Sequence, residues 1–420
     1  MKWIAAASSL SLLTALVALN LTSGESEVTH EIPHLYAVGD PQFKRSMGAL
    51  LGPDMVAGNQ VTMLVNGDQI FPAMLAAIRA AKQTINFETY IYWSGEVGRA
   101  FSEALSERAR AGVKIHVLLD WVGSGKADKS LIEAMSQAGA EVEKYHPLRW
   151  YSLSRINNRT HRKLLVVDGR VGFTGGVGIA DLWSGNAEDP DHWRDTHYRL
   201  EGPAVAQMQS VFMDNWRKTR ALVLHGPEYF PALSPAGDQL AQVFRSSARD
   251  GAETVRLMYL LSIAAAAKSI RMENAYFVPD ELSRRMLVKA RQRGVRVEII
   301  VPGRHTDSQV VRQASRAQWG ELLDAGVEIY EFQPTMMHCK VMVVDELWTT
   351  VGSTNFDNRS FHLNDEANLD ILDAKFAAEN LRQMDLDKAR SRLVTRGDWS
   401  RRPWSMRVAE WLTDLLATQL

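Results

Sequence analysis

Two stretches of this chain repeat one pattern 177 residues apart, and that repetition limits the possible folds more than any other feature. The first reads His161-Arg162-Lys163, four apolar residues to Val167, Asp168, then Gly175-Gly176. The second reads His338-Cys339-Lys340, Val341 to Val344, Asp345, then Gly352-Ser353-Thr354-Asn355. Each apolar run predicts a buried strand. Side chains alternate along a strand, so each His and Lys leave its N-terminal end on the same side. Two such units imply two similar lobes.

The surrounding pattern repeats as well. In the first half the periodicity predicts a strand over 61–65, a turn at Asn66-Gly67-Asp68, a helix over 71–82, a strand over 84–92, a helix over 98–111, a strand over 114–120, a helix over 129–138 and a short strand over 141–145. In the second half a helix near 262–267 precedes a strand over 269–277, a helix over 281–293, a strand over 296–301, a helix over 308–325 and a strand over 328–332. The turns correspond: Ala111-Gly112-Val113-Lys114 matches Arg293-Gly294-Val295-Arg296, and Ala138-Gly139-Ala140-Glu141 matches Ala325-Gly326-Val327-Glu328. Alternating strands and helices imply layered α/β lobes. Residues 59–240 and 241–400 are the expected lobes, with both His-Lys ends at one shared cleft.

Outside the repeat, 3–21 is mostly Ala, Leu, Val and Ser behind Lys2, and 1–24 reads as a signal peptide or membrane anchor that would place the body on the exported side. Residues 25–58 read as a linker. An insertion at 146–160, with Leu148-Arg149-Trp150-Tyr151, has no counterpart in the second half; it suits a membrane interface or a lipid tail as well as plain loop packing. At 401–420, Trp404, Val408, Trp411, Leu412, Leu415 and Leu416 fall on one helix face, expected to cap a core rather than touch a bilayer. The formal net charge of −1 lends no support to bulk attraction to nucleic acid. The sole cysteine, Cys339, excludes an intrachain disulfide and is expected to be a small strand residue.

Both repeats match the His-x-Lys-x4-Asp motif of the phospholipase D superfamily, and the resemblance covers most of 60–400. Asn158-Arg159-Thr160-His161-Arg162-Lys163, Gly175-Gly176, Trp193-Arg194-Asp195-Thr196-His197 and Gly202-Pro203-Ala204-Val205 are most similar to bacterial cardiolipin synthases. The resemblance implies two α/β/α sandwich lobes with the active site at their interface, phospholipid substrates and a bacterial inner-membrane location. One departure is Gly178 where the family has Asn; the second copy keeps Asn355.

The residue types suit displacement at a phosphodiester. A neutral imidazole attacks phosphorus, a second imidazole protonates the leaving oxygen, and Lys163 and Lys340 neutralise the phosphate. No metal or cofactor is required. The resemblance assigns His161 as nucleophile and His338 as general acid, and the symmetry leaves the reverse open. It makes Asp168 and Asp345 members of the motif with a mainly structural part, and gives supporting roles to Gly176, Ser353, Asn355 and two carboxylates, Asp195 and Glu366, that orient the histidines. Glu88 and Glu273, at equivalent strand positions, either line the cleft or brace the lysines. His192, His197, His305 and His362 are expected to be ordinary histidines. A lipid alcohol as acceptor gives a phosphatidyltransferase and water gives a hydrolytic phospholipase D or nuclease. Gly178 alone speaks for an inactive lipid-binding scaffold. Oligomeric state is not legible.

Overall fold

Both apolar runs that follow a His-x-Lys are strands fully buried along their length, Leu164–Val167 and Lys340–Val344, as expected of β-structure covered on both faces. The structure, a computed structural model, describes residues 11, 12, 14, 28–147, 157–247 and 253–414. The signal or anchor segment, apart from three residues, and the Leu148-to-Tyr151 insertion lie outside that set. Among the described residues no helix is long and apolar enough to cross a membrane.

One continuous sheet runs through both lobes. In the first, Leu164–Val167 lies antiparallel between Thr84–Thr89 and Val171–Gly175, with Lys114–Asp120 and Glu141–Tyr145 added in parallel beyond Thr84–Thr89. In the second, Lys340–Val344 lies antiparallel between Ser269–Asn274 and Trp348–Gly352, with Arg296–Pro302 and Glu328–Phe332 in parallel beyond. Val56–Val65 meets Gln239–Ser246 at the centre, so strand order reads outward identically from this seam. Ser391–Val394 adds an extra edge to the second lobe. One apolar cluster crosses the seam, uniting Val61, Tyr198 and Leu200 with Val243, Val341 and Leu369.

Five expectations need correction. Asn66-Gly67-Asp68 is the first turn of the helix Asn66–Ala80. Asn66 takes a left-handed φ of 58°, and its N–H donates to Asp195 O at 3.0 Å, so a tertiary contact overrides the local turn signal. The range read as a linker holds the helix Pro41–Leu51, N-capped by Asp40 with Pro at the first position. Its Phe43, Met47 and Leu51 are buried in the second lobe's core. The helix near 262–267 is Thr254–Ala265, so thoroughly buried that no polar stripe marks its start. Helix 308–325 is two helices, Gln309–Ala317 and Trp319–Asp324. The C-terminal helix Trp404–Asp414 does not cap a core with its apolar face: Trp404, Val408, Trp411 and Leu412 are exposed. Leu415 and Leu416 lie outside the described residues.

Candidate active site

Each His-x-Lys segment reaches its strand by crossing to the other lobe. Arg159–Thr160 pairs in parallel with Asn364–Asp365, and His161 N–H donates to Asp365 O at 2.9 Å. The second copy mirrors this: His338 N–H donates to Arg194 O at 2.7 Å, and Arg194 N–H to Met336 O at 2.9 Å. The main-chain N–H of each motif histidine is thereby held by the opposite half.

The side chains follow the same crossing. His161 Nδ1 lies 2.9 and 3.1 Å from the carboxylate oxygens of Glu366, and His338 Nδ1 lies 2.9 Å from Asp195 Oδ2. A carboxylate accepts, so each Nδ1 carries the proton and each Nε2 is left for chemistry. Sequence order suggests no such pairing, since Asp195 follows His161 and Glu366 follows His338. Lys163 Nζ donates to His161 O and Lys340 Nζ to His338 O, both at 2.7 Å. The alternation inferred from sequence holds, and Arg162 between them points away, fully buried against Asp214 and the carbonyls of Val211, Ser246 and Glu366.

These groups form one electrostatic cluster. Burial, reinforced by Lys163 and Lys340, lowers His161 to about 4, with Glu366 opposing. Burial and Lys340, whose Nζ is 3.2 Å from both ring nitrogens, hold His338 well below the ordinary histidine value. Burial depresses Lys163 to about 7 and lowers Lys340. The carboxylates part company. Burial pushes Glu366 up but His161, Lys163 and the Ser353 hydroxyl outweigh it, so it stays below the usual range. In Asp195 burial wins and the group rises to about 6. A phosphodiester anion entering between two buried lysines would supply the missing negative charge and raise both imidazoles.

The supporting residues show where the copies diverge. The Ser353 hydroxyl donates to Glu366 Oε2. Its counterpart is Gly176, where a Cβ would fall 2.3 Å from Asp195 Oδ1; Asp195 occupies the space a side chain there would need. The missing donor comes from Trp183, whose Nε1–H reaches Asp195 Oδ2 at 3.0 Å. The same indole explains Gly178: a Cβ at 178 would lie 3.1 Å from its ring and 2.8 Å from Ile91 Cβ. Asn355, the counterpart of Gly178, is buried with Oδ1 unpartnered. Asn66 completes the support of Asp195, accepting its N–H at 3.2 Å. Trp183 and Asn66 escaped sequence reasoning; Gly178 in place of Asn was a signal that something bulky fills that space.

Asp168 and Asp345 do not belong to the reacting cluster. They stand at the far end of their strands, roughly 17 Å from the lysines at the rise of a strand. With φ of 52° each, and Gly169 and Glu346 also positive, they open tight primed hairpin turns. Asp168 accepts the N–H groups of Lys82, Gln83 and Thr84, and Asp345 those of Ala267, Lys268 and Ser269. Each therefore caps the backbone at the start of the neighbouring strand. Glu88 and Glu273 are buried but brace neither lysine: Glu88 accepts from Thr160 and Asn215, and burial raises it to about 7. Burial also raises Glu273, to about 8. His197 is buried with both ring nitrogens unpartnered, and burial lowers it to about 4; His192 pairs with Asp189 at the surface. Glu188, Asp189 and His192 converge but are bonded to one another and largely exposed.

A model of the family "Cardiolipin synthase, PLD-like domain" matches residues 74–189 and 259–387. The cardiolipin synthase of Geobacillus kaustophilus is 35% identical over 365 residues, 86% of this chain and 72% of that protein. Cardiolipin synthase A of Pseudomonas fluorescens is 35% identical over 84% of this chain and 73% of its own length. Cardiolipin synthase 2 of Bacillus cereus is 37% identical over 74% of this chain, a match that spans 61% of that relative. The fold resembles the crystal structure of phosphatidylserine synthase from Haemophilus influenzae Rd KW20, with a TM-score of 0.65 and 12% identity over 90% of this chain and 99% of that one. With the duplicated motif, the two lobes and relatives of this similarity, the chain belongs to the cardiolipin synthase family of phospholipase D-like proteins.

Proposed function

We propose that the protein is a phosphatidyltransferase of the cardiolipin synthase kind. The crosswise pairing carries this reading: two imidazoles, each with Nδ1 occupied by a carboxylate and Nε2 available, share a site with two buried lysines. His161 Nε2 attacks the phosphorus of one phospholipid, and the bond to the head-group oxygen breaks as His338 delivers a proton to that oxygen. Lys163 and Lys340 balance the charge that grows on the phosphate oxygens. The glycerol hydroxyl of phosphatidylglycerol then gives its proton back to His338 and attacks the phosphohistidine. Cardiolipin leaves and both histidines return to their starting state.

His161 suits the nucleophile because Glu366 is the firmer anion of the two carboxylates and fixes the Nδ1–H tautomer. His338 suits the acid–base role because its partner Asp195 rises to about 6 by burial, close to the range in which protons are exchanged. Arg159, stacked 5.4 Å above the Trp121 ring near the cleft, suits the phosphate of the second lipid. The relatives named as cardiolipin synthases support a lipid alcohol over water as acceptor. Such substrates place the reaction at a bacterial membrane surface, with the apolar segment 3–21 behind Lys2 favouring the exported side.

The test is lipid mass spectrometry after incubation with phosphatidylglycerol vesicles. Cardiolipin is expected from the intact protein, and a loss of at least a thousandfold is expected in His161→Ala and His338→Ala, a magnitude typical for removing such groups. Phosphatidic acid as the only product would make the enzyme a hydrolase and overturn the transfer step.

A further inference from the structure

We propose that the exposed face of the C-terminal helix docks the enzyme onto the surface of an anionic phospholipid bilayer. Successive residues of an α-helix turn by about 100°, so Trp404, Val408, Trp411 and Leu412 share an arc of about 100°. They are 77, 46, 62 and 52% exposed. The opposite face is the one that packs inward, and it is ionic. Glu410 is buried between Arg316 Nε at 3.4 Å and Arg402 Nε at 2.8 Å, and Arg316 also holds Glu331. A helix on a water-facing surface normally has the reverse arrangement. Here a buried ion pair fixes the helix with its tryptophans outward, where a continuous apolar stripe marks a contact surface.

The stripe's composition names the occupant. Tryptophan favours the head-group region of a bilayer, aliphatic side chains enter just below it, and flanking arginines meet lipid phosphates. Arg401 and Arg407 are exposed and border the stripe. An eleven-residue helix is roughly 16 Å long, too small a face to supply the about 800 Å² that each partner of a stable dimer contributes. Its placement also fits. The helix packs on Gln309–Ala317, which is N-capped by Ser308. The adjacent Asp307 accepts from the Tyr276 hydroxyl, and its charge acts on His338 and Lys340. The docking helix is therefore carried by the element that starts at the cleft rim, with Val310 exposed in its first turn. The benefit to catalysis rests on the transferase reading; the docking does not.

The experiment uses the full chain with Val408→Cys carrying an environment-sensitive thiol fluorophore, Cys339 being buried and labelling of the unsubstituted chain serving as its control. Vesicles of phosphatidylglycerol should shift the emission to the blue, and phosphatidylcholine should do so less. Adding Trp404→Ser with Trp411→Ser should weaken the apparent vesicle affinity of the probe signal by roughly tenfold or more, about 1.4 kcal/mol per tenfold. Unchanged emission while the protein sediments with vesicles would overturn the proposal, because another segment would then be the anchor. A blue shift without vesicles that grows with protein concentration would assign the face to a second copy. In parallel, the double serine variant should lose at least fivefold in turnover on vesicles yet keep its turnover of short-chain phosphatidylglycerol below the micellar concentration. Equal loss on both substrates would overturn docking in favour of a structural role. If no cardiolipin forms with any variant, the transferase reading falls while the probe still decides the docking.

Discussion

At the scale of single residues, the site weakens the proton affinity of its bases by denying them water. Burial is the first cause of the low values of His161, at about 4, and of Lys163, at about 7. Histidine with a depressed value is neutral above that value, and lysine with a depressed value is protonated only below it. The pH profile of kcat/KM, which reports the free enzyme, should therefore lack an acid limb near 6.5 from His161 and should fall with a basic limb near 7 as Lys163 loses its charge. A profile flat from pH 6 to 9 would refute this reading of Lys163. His161, Lys163, His338 and Lys340 were all legible from spacing alone, because a period of two fixes which residues share a side. The histidine–carboxylate pairs were not, because each joins residues more than 140 positions apart in opposite halves. Trp183 was hidden for another reason: an indole that substitutes for a serine and an asparagine leaves no pattern except the two glycines, Gly176 and Gly178, that make room for it.

At the scale of elements, the motif is a hairpin with chemistry at one end and a clasp at the other. Asp168 and Asp345 each gather three N–H groups at the start of the neighbouring strand while accepting a positive φ that Asp tolerates better than most residues. Replacing either with Ala should cost about 2–3 kcal/mol in chemical denaturation, as charge-assisted hydrogen bonds are lost, with Asn costing less. Turnover of the folded variants should stay within about threefold, given the distance from the lysines. A thousandfold loss of activity in a variant with unchanged denaturation midpoint would return these residues to the reacting cluster. Strands 114–120, 141–145 and 328–332 were readable to the residue because a glycine turn, at Gly112, Gly139 and Gly326, marks the start of each parallel strand two residues on. Thr254–Ala265 was read short because a helix buried all round has no periodicity to see.

At the scale of the molecule, two lobes behave as one body. The sheet is continuous across the seam, one apolar cluster spans it, and the helix Pro41–Leu51, which precedes the first lobe, is packed in the core of the second. Calorimetry should accordingly show a single thermal transition with matching calorimetric and van't Hoff enthalpies. Two separated transitions would show that the seam is weaker than its contacts imply. The two-lobe layout was legible from the repeat, but this fusion was not, since nothing in a residue pattern reports which lobe a preceding segment joins.

The exchange of carboxylates across the seam bears on how such a chain could arise. A single ancestral unit that lends its carboxylate outward and borrows one in return is incomplete alone and complete as a pair of identical copies. Joining two genes end to end would make that partnership permanent and, for the first time, let the copies differ. The differences now visible, Ser353 against Gly176 and Asn355 against Gly178 with Trp183, lie where symmetry would force both histidines into the same surroundings. Division of labour between a histidine that bonds to phosphorus and one that moves a proton is the freedom that fusion grants.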